Sequence, residues 1–323
     1  MLTGRVPPPK SLIVDPCNVC NLRCPICPTG QGKLELPRGR MSAATFEHVL
    51  TAIPSARSVE LYNWGEPLLN PEIADLIRLA HSRGVQVHMH TNFSLRVRES
   101  LLRDLVTSGL DHLTLSIDGA TQTAYERYRR GGEIELVLAN IRSLQAAKRS
   151  LNSATPAVCW RFIVNRYNIE DVDRAHALAS EMGLAFKTVP IGLGAHIGPE
   201  DYGAALQARK EEWLPSSERH VYRFYRNESR PPERATICPH LFNSAVINPD
   251  GTVLPCCYVD SREAAFGNCM QEDFSAIWNN QMYYSARRRF LPSLAQRPVT
   301  STICQRCLKH VGWRQVLRRA RVP

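Results

Sequence analysis

The chain has 323 residues, of which 44% are hydrophobic and 22% charged, and its formal net charge is +10. That balance suits a globular protein with one large domain and a smaller one, and no apolar run approaches the roughly 20 residues that cross a bilayer, so no membrane partner is expected. The opening MLTGRVPPPKSLIV lacks a signal-peptide core, which predicts a cytoplasmic protein whose 11 cysteines read as metal ligands rather than a disulfide framework.

In chain order, short β-like runs alternate with amphipathic helical stretches. Strands are predicted over Ser11–Asp15, Ser58–Asn63, Val85–Thr91, His112–Asp118, Ala157–Asn165 and Ala185–Ile191. Helical patterns lie between them, several opening on a Ser or Asp cap or an early Pro and closing near Gly. Strict alternation implies parallel strands joined by right-handed crossovers. Six repeats are too few for a closed eight-stranded barrel, so the expected fold is α/β, a partial (β/α)6 TIM-like barrel over residues 1–195. From 196 to 236 the alternation stops in a polar linker with some helix that includes RPPER (Arg230–Arg234). A small α+β module follows over 237–310: AVINPDGTVL reads as a β-hairpin, and EDFSAIWNNQMYYSARRRFL as one helix. The tail 311–323 is basic, as is ARRRF at Ala286–Phe290. Both read first as solvated surface, and without an RNA-binding signature no nucleic-acid partner is expected.

The first cysteines are spaced Cys17-x2-Cys20-x3-Cys24-x2-Cys27. A structural zinc site sets its two pairs well apart, and a ferredoxin run orders its gaps differently, so both fit poorly. Cys20, Cys24 and Cys27 alone on a [4Fe–4S] cluster would leave one iron without a protein ligand, an open position of the kind catalytic metals keep. Cys17 then falls outside the set as a packed loop residue. This CxxxCxxC, after the first strand in the context CNLRCPIC, resembles the radical S-adenosylmethionine (radical SAM) superfamily. The resemblance implies SAM on the open iron and a cofactor site built from successive strand ends. Gly65 would permit close backbone approach in NWGEP, where Trp64 replaces the first Gly of the family's GGE, and Glu66 would accept from the SAM amino group. Asn92 of HTN and Ser116 and Asp118 of SID would hold ribose and carboxylate, Arg129 or Arg130 of YRRGG the carboxylate, and Asn165 the adenine side. The implied chemistry is a 5′-deoxyadenosyl radical that abstracts hydrogen from an unactivated C–H bond.

In the second half, Cys238-x12-Gly251-x4-Cys256 followed by Cys304-x2-Cys307 resembles the SPASM domain and its shortened Twitch form. That implies one auxiliary [4Fe–4S] cluster on Cys238, Cys256, Cys304 and Cys307, with a structural zinc on the same thiols as the alternative. Cys257 and Cys269 are left over and read first as buried small hydrophobes, as does Cys159 within its strand. Cys257 has a sharper alternative as a hydrogen-atom donor, and Asp260 as a general base. The leading expectation is abstraction at a carbinol carbon of a sugar or aminocyclitol, giving epimerisation through Cys257 or oxidation with the auxiliary cluster as electron acceptor. A small molecule is then the substrate and a flavodoxin or ferredoxin the electron donor. The alternatives are a peptide-modifying enzyme of the same superfamily and a non-catalytic iron–sulfur or zinc scaffold that binds nucleic acid.

Overall fold

The computed structural model describes residues 5–193, 202–215, 237–291 and 299–307; RPPER and the tail 311–323 lie outside them. Strands β1 (Ser11–Val14), β2 (Ser58–Leu61), β3 (Gln86–Thr91), β4 (His112–Ser116), β5 (Ala157–Val164) and β6 (Ala185–Pro190) lie side by side in chain order, each pair parallel. Helices α1 (Ala43–Ala52), α2 (Ile73–Ser82), α3 (Glu99–Thr107), α4 (Gln122–Tyr128), α5 (Ile134–Ser150) and α6 (Val172–Glu181) form the crossovers. Ser42 and Thr121 cap α1 and α4 by accepting from the amides of Thr45 and Ala124. This is the partial (β/α)6 barrel that the alternation implies.

All the strands but β3 stop one or two residues before the sequence pattern does. The polar residues at those ends turn their side chains onto backbone groups instead of extending the ladder. Asp15 accepts from the Trp64 amide, Asp118 from Ile163 and Asn165 from Tyr167. The two faces of the sheet differ sharply. Leu12, Val59, Met89, Leu115, Trp160 and Phe162 share one buried cluster with Phe46, Leu76 and Ile141 of the helices. The alternate positions Glu60, His88, His90, Thr114, Cys159 and Arg161 face the lumen and are only half-buried. Cys159 is therefore a lumen residue and not the core residue its strand position suggests.

Helix α7 (Tyr202–Trp213) occupies part of the expected linker and packs Trp213 edge-on against Tyr128 and Tyr167. The expected hairpin is present as β7 (Ser244–Ile247) and β8 (Thr252–Leu254), turned at Gly251, whose φ of 82° suits glycine. Its placement carries more information than the hairpin itself. β7 pairs in parallel with β1, Ser11 opposite Ser244 through Val14 opposite Ile247, so the barrel sheet runs on through β7 and β8 to β9 (Gly267–Asn268).

The single helix expected after it is two, Phe274–Trp278 and Gln281–Arg287. Asn280 accepts from the amides of Met282 and Tyr283 and so caps a new helix where the old one ends. ARRRF is likewise not all solvated surface. Arg287 is buried, donating to the carbonyls of Leu241 and Trp278 at 2.6 and 2.5 Å and stacking 4.4 Å over the Trp278 ring.

Candidate active site

The loop after β1 is held from two sides. The Asn21 amide donates to the Ser94 carbonyl at 2.7 Å, and Asn92, beyond β3, donates to Asn21 Oδ1 at 2.9 Å and to Cys20 Sγ at 3.8 Å. The Arg23 amide donates to the Arg130 carbonyl at 2.9 Å. Gly30 closes the loop against the Cys24 backbone, where a Cβ would sit 2.6 Å from the Cys24 nitrogen. Cys24 and Cys27 lie close enough to Cys20 that their thiolates would disfavour its own. Burial first, then its neighbours, push Cys20 up to about 12 and Cys24 to about 11. Cys17 is fully buried, with its Sγ on the Val19 carbonyl, and packs as expected.

Gly65 has a visible cause. A Cβ there would collide with the carbonyl of Cys17 and the Cα of Asn18, so β2's exit and the cysteine loop touch backbone to backbone. Glu66 is buried and spans two strand ends. Its Oε1 accepts from Leu68 N and Thr91 Oγ1, and its Oε2 from Asn92 N at 2.8 Å. Oε2 retains one acceptor position. Burial raises the Glu66 pKa above the ordinary range, against those hydrogen bonds.

The structure separates the two arginines of YRRGG. Arg129 points inward, its Nε donating to Asp118 Oδ2 at 2.6 Å and its Nη1 lying 3.9 Å from Cys24 Sγ, whereas Arg130 is exposed. Burial works against the Arg129 charge, but Asp118 and Cys24 outweigh it and hold its pKa well above the usual value. Asp118 also accepts from Ile163 N at 2.6 Å. Each of its oxygens thus accepts one hydrogen bond from the chain, so Asp118 orients Arg129 while each oxygen keeps one acceptor position. Ser116 is buried at the end of β4, in register with Arg161. Asn165 is buried after β5. Its Oδ1 accepts from Tyr167 N, while its Nδ2 has no partner among the described residues.

Cys238, Cys256, Cys304 and Cys307 lie near enough for their charges to act on one another. Cys238 precedes β7 and Cys256 follows β8, and an antiparallel hairpin returns the chain to the end it left. Burial first, then its neighbours Cys257, Cys304 and Cys238, raise Cys256 well above its ordinary value. Burial, then Cys238 and Cys307, push Cys304 up to about 12. Among the described residues no three His, Cys, Asp or Glu side chains converge on a point that a single metal ion could occupy. A four-iron cluster instead spreads its thiolates around a cube. Cys257 Sγ lies 3.8 Å from His240 Nε2, and Cys257 is near enough to Tyr62 to act on its phenol. The Asp260 carbonyl accepts from the Glu35 amide at 2.9 Å. Cys269 is buried on the Gly251 carbonyl, as expected of a packed thiol.

Comparison with known proteins now meets this geometry. Residues 14–155 match the Radical SAM superfamily, and residues 238–308 match SPASM, an iron–sulfur cluster-binding domain. The chain thus carries a radical SAM domain followed by a SPASM domain. It is 28% identical to the PqqA peptide cyclase of Gluconobacter oxydans over 291 residues, 84% of this chain and 77% of the relative. It is 25% identical to the AdoMet-dependent heme synthase of Methanosarcina barkeri over 289 residues, 81% of this chain and 79% of the relative. Streptococcus suis SuiB bound to S-adenosylmethionine shares the fold, with a TM-score of 0.63 and 16% identity over 87% of this chain and 68% of that one.

A radical SAM protein with a SPASM domain uses a [4Fe–4S] cluster, SAM and an auxiliary cluster. The residues present fit those groups: two sets of mutually close thiols, an orphaned Asn165 amide and a spare acceptor on Glu66. Sequence reasoning missed several supports of this radical SAM site. Asn168 donates to the carbonyls of Asp118 and Ile163 and accepts from Asn165 N, fixing three strand-end residues at once. Gly30 and Asp15 carried no motif beyond their position beside the cysteines. No helix among the described residues is long and apolar enough to cross a membrane.

Proposed function

We propose that this chain is a radical SAM enzyme that modifies a peptide. Cys20, Cys24 and Cys27 would hold the catalytic cluster, and Cys238, Cys256, Cys304 and Cys307 the auxiliary one. When bound, the first cluster and SAM supply a 5′-deoxyadenosyl radical for hydrogen abstraction. The chain's own residues orient that chemistry. Arg129, fixed by Asp118, is aimed at the cysteine loop and is the side chain suited to the SAM carboxylate. Glu66 offers its remaining lone pair to the amino group, with Gly65 allowing the approach. Asn92 and Ser116 stand at the ribose side, and the unpartnered Asn165 amide at the adenine side. A flavodoxin or ferredoxin would supply the electron.

The observation that carries the choice of substrate is the likeness along most of the chain to a curated peptide cyclase. A second reading, redox or stereochemical change at a carbinol carbon of a sugar or aminocyclitol, is favoured by one feature: the Cys257 thiol stands between His240 and Tyr62, with Asp260 three residues on. The two separate on one experiment. The chain is co-expressed with the short reading frames flanking its gene, and the peptides are weighed. A mass change that disappears in Cys20→Ala supports peptide modification. Unchanged peptides, together with 5′-deoxyadenosine released only when an aminocyclitol is added, overturn it in favour of the second reading.

A further inference from the structure

Below the strand ends just described, the barrel lumen carries a charge pattern that the cofactor site does not use. Glu60 on β2, His88 and His90 on β3 and Arg161 on β5 occupy half-buried alternate positions that face inward, and Lys187 lies exposed on the same face of the edge strand β6. Strand pairing sets their heights: Glu60 is level with His88, and Arg161 is level with both Ser116 and Lys187. Arg161 therefore lies in the layer next to the strand ends, where a molecule entering from the cofactor side first meets the lumen.

The charges in this ring do not balance. Glu60 is the one carboxylate, and its Oε2 lies 3.9 Å from His90 Nε2. The guanidinium of Arg161 and the ammonium of Lys187 have no hydrogen bond or ion pair among the described residues. Both lie near enough to His90 to act on it. After burial, they and His88 press its pKa down to about 3, so at neutral pH His90 is an uncharged ring stacked flat on Tyr62 at 3.8 Å. Among the described residues its Nδ1 and the Nε2 of His88 are buried without partners. Two cations against one carboxylate leave a surplus positive charge, flanked by neutral polar rings with free nitrogen atoms. Covering such cations with an uncharged substrate would strip their water and return nothing.

We infer that Arg161 and Lys187 form the recognition site for a carboxylate carried by the substrate, holding it level with Ser116 at the floor of the cofactor residues, with the uncharged Tyr62–His90 stack one layer beneath it. This rests on the peptide reading and sharpens it: the peptide reaches the lumen through an acidic side chain or its terminal carboxylate. The guanidinium receives the carboxylate as a fork, and the ammonium adds a point charge beside it.

The test measures binding to the purified, cluster-loaded full chain by saturation-transfer NMR. The probes are N-acetyl-L-glutamate α-amide (side-chain carboxylate), N-acetyl-L-alanine (terminal carboxylate) and N-acetyl-L-glutamine amide (no carboxylate). At least one acid should bind about ten-fold more tightly than the neutral amide, and which one identifies the source of the carboxylate. Arg161→Gln and Lys187→Gln, at wild-type iron content and melting temperature, should each lose about that factor. Glu60→Gln should bind the acid more tightly, a gain that damage to the fold would not produce. Equal binding of all three probes overturns the inference, as does wild-type affinity in both cation variants or no gain in Glu60→Gln. The peptide reading fails separately, when co-expressed peptides remain unmodified while the acid still binds.

Discussion

Asp15 leaves β1 with its carboxylate buried, Oδ2 accepting from the Trp64 amide at 3.0 Å and Oδ1 without a partner among the described residues. Burial outweighs the hydrogen bonds and raises its pKa from 3.8 to about 7. Between those values the folded chain keeps a proton that the unfolded chain has released, so Asp15 lowers stability progressively as pH rises from 4 to 7. Asp15→Asn keeps the acceptor for Trp64 and removes the titration. Its stability relative to wild type should be unchanged near pH 4 and improve by up to about 4 kcal/mol toward pH 8, read from denaturant melts at each pH. A pH-independent difference would show that the carboxyl is not protonated in the fold. The neighbouring buried pair behaves otherwise. Arg129→Gln strands the Asp118 carboxylate and should cost about 3–5 kcal/mol, whereas Arg129→Gln with Asp118→Asn should cost clearly less than the two single changes added together. Additive losses in a double-mutant cycle would deny the coupling.

Among the elements, what the sequence revealed followed from how local each signal is. Strand order needed only alternation and short connections, and the cysteine triplet needed only its spacing after β1. Asn280 is different: nothing in a run of helix-compatible residues marks which asparagine will turn its side chain onto the following amides. Arg287 was hidden for the complementary reason, since three consecutive arginines give no sign that one faces inward to two carbonyls and a Trp278 ring. Arg129 and Arg130 could not be told apart by motif, because the distinction lies in Asp118 across a loop. The lumen charges were readable only after pairing registers were known. Arg287→Ala would leave the carbonyls of Leu241 and Trp278 unpaired beside a cavity, so thermal unfolding of the auxiliary module should be weakened by about 3 kcal/mol or more. Arg287→Lys should rescue little, since an ammonium cannot reproduce the fork. Full rescue by lysine would reduce the role of Arg287 to its charge.

For the molecule as a whole, the two cysteine groups belong to opposite ends of one strand pair. The triplet follows the carboxyl end of β1, and Cys238 precedes the amino end of β7, which lies beside the amino end of β1. Loss of one group should therefore leave the other intact. Cys20→Ala and Cys304→Ala should each lose about four irons by analysis of the reconstituted protein, and the double variant should lose both sets. Loss of all iron from either single variant would mean that the two sites fold as one.

The four backbone pairs that join β1 to β7 also act as a ruler. Their length, roughly 13 Å at about 3.3 Å per residue, is fixed by main-chain hydrogen bonds and not by any side chain. Substrate entry can rearrange the loops at either mouth without altering the register between β1 and β7, so substitutions that reshape specificity can accumulate there while the join between the barrel and the cysteine-bearing hairpin stays constant.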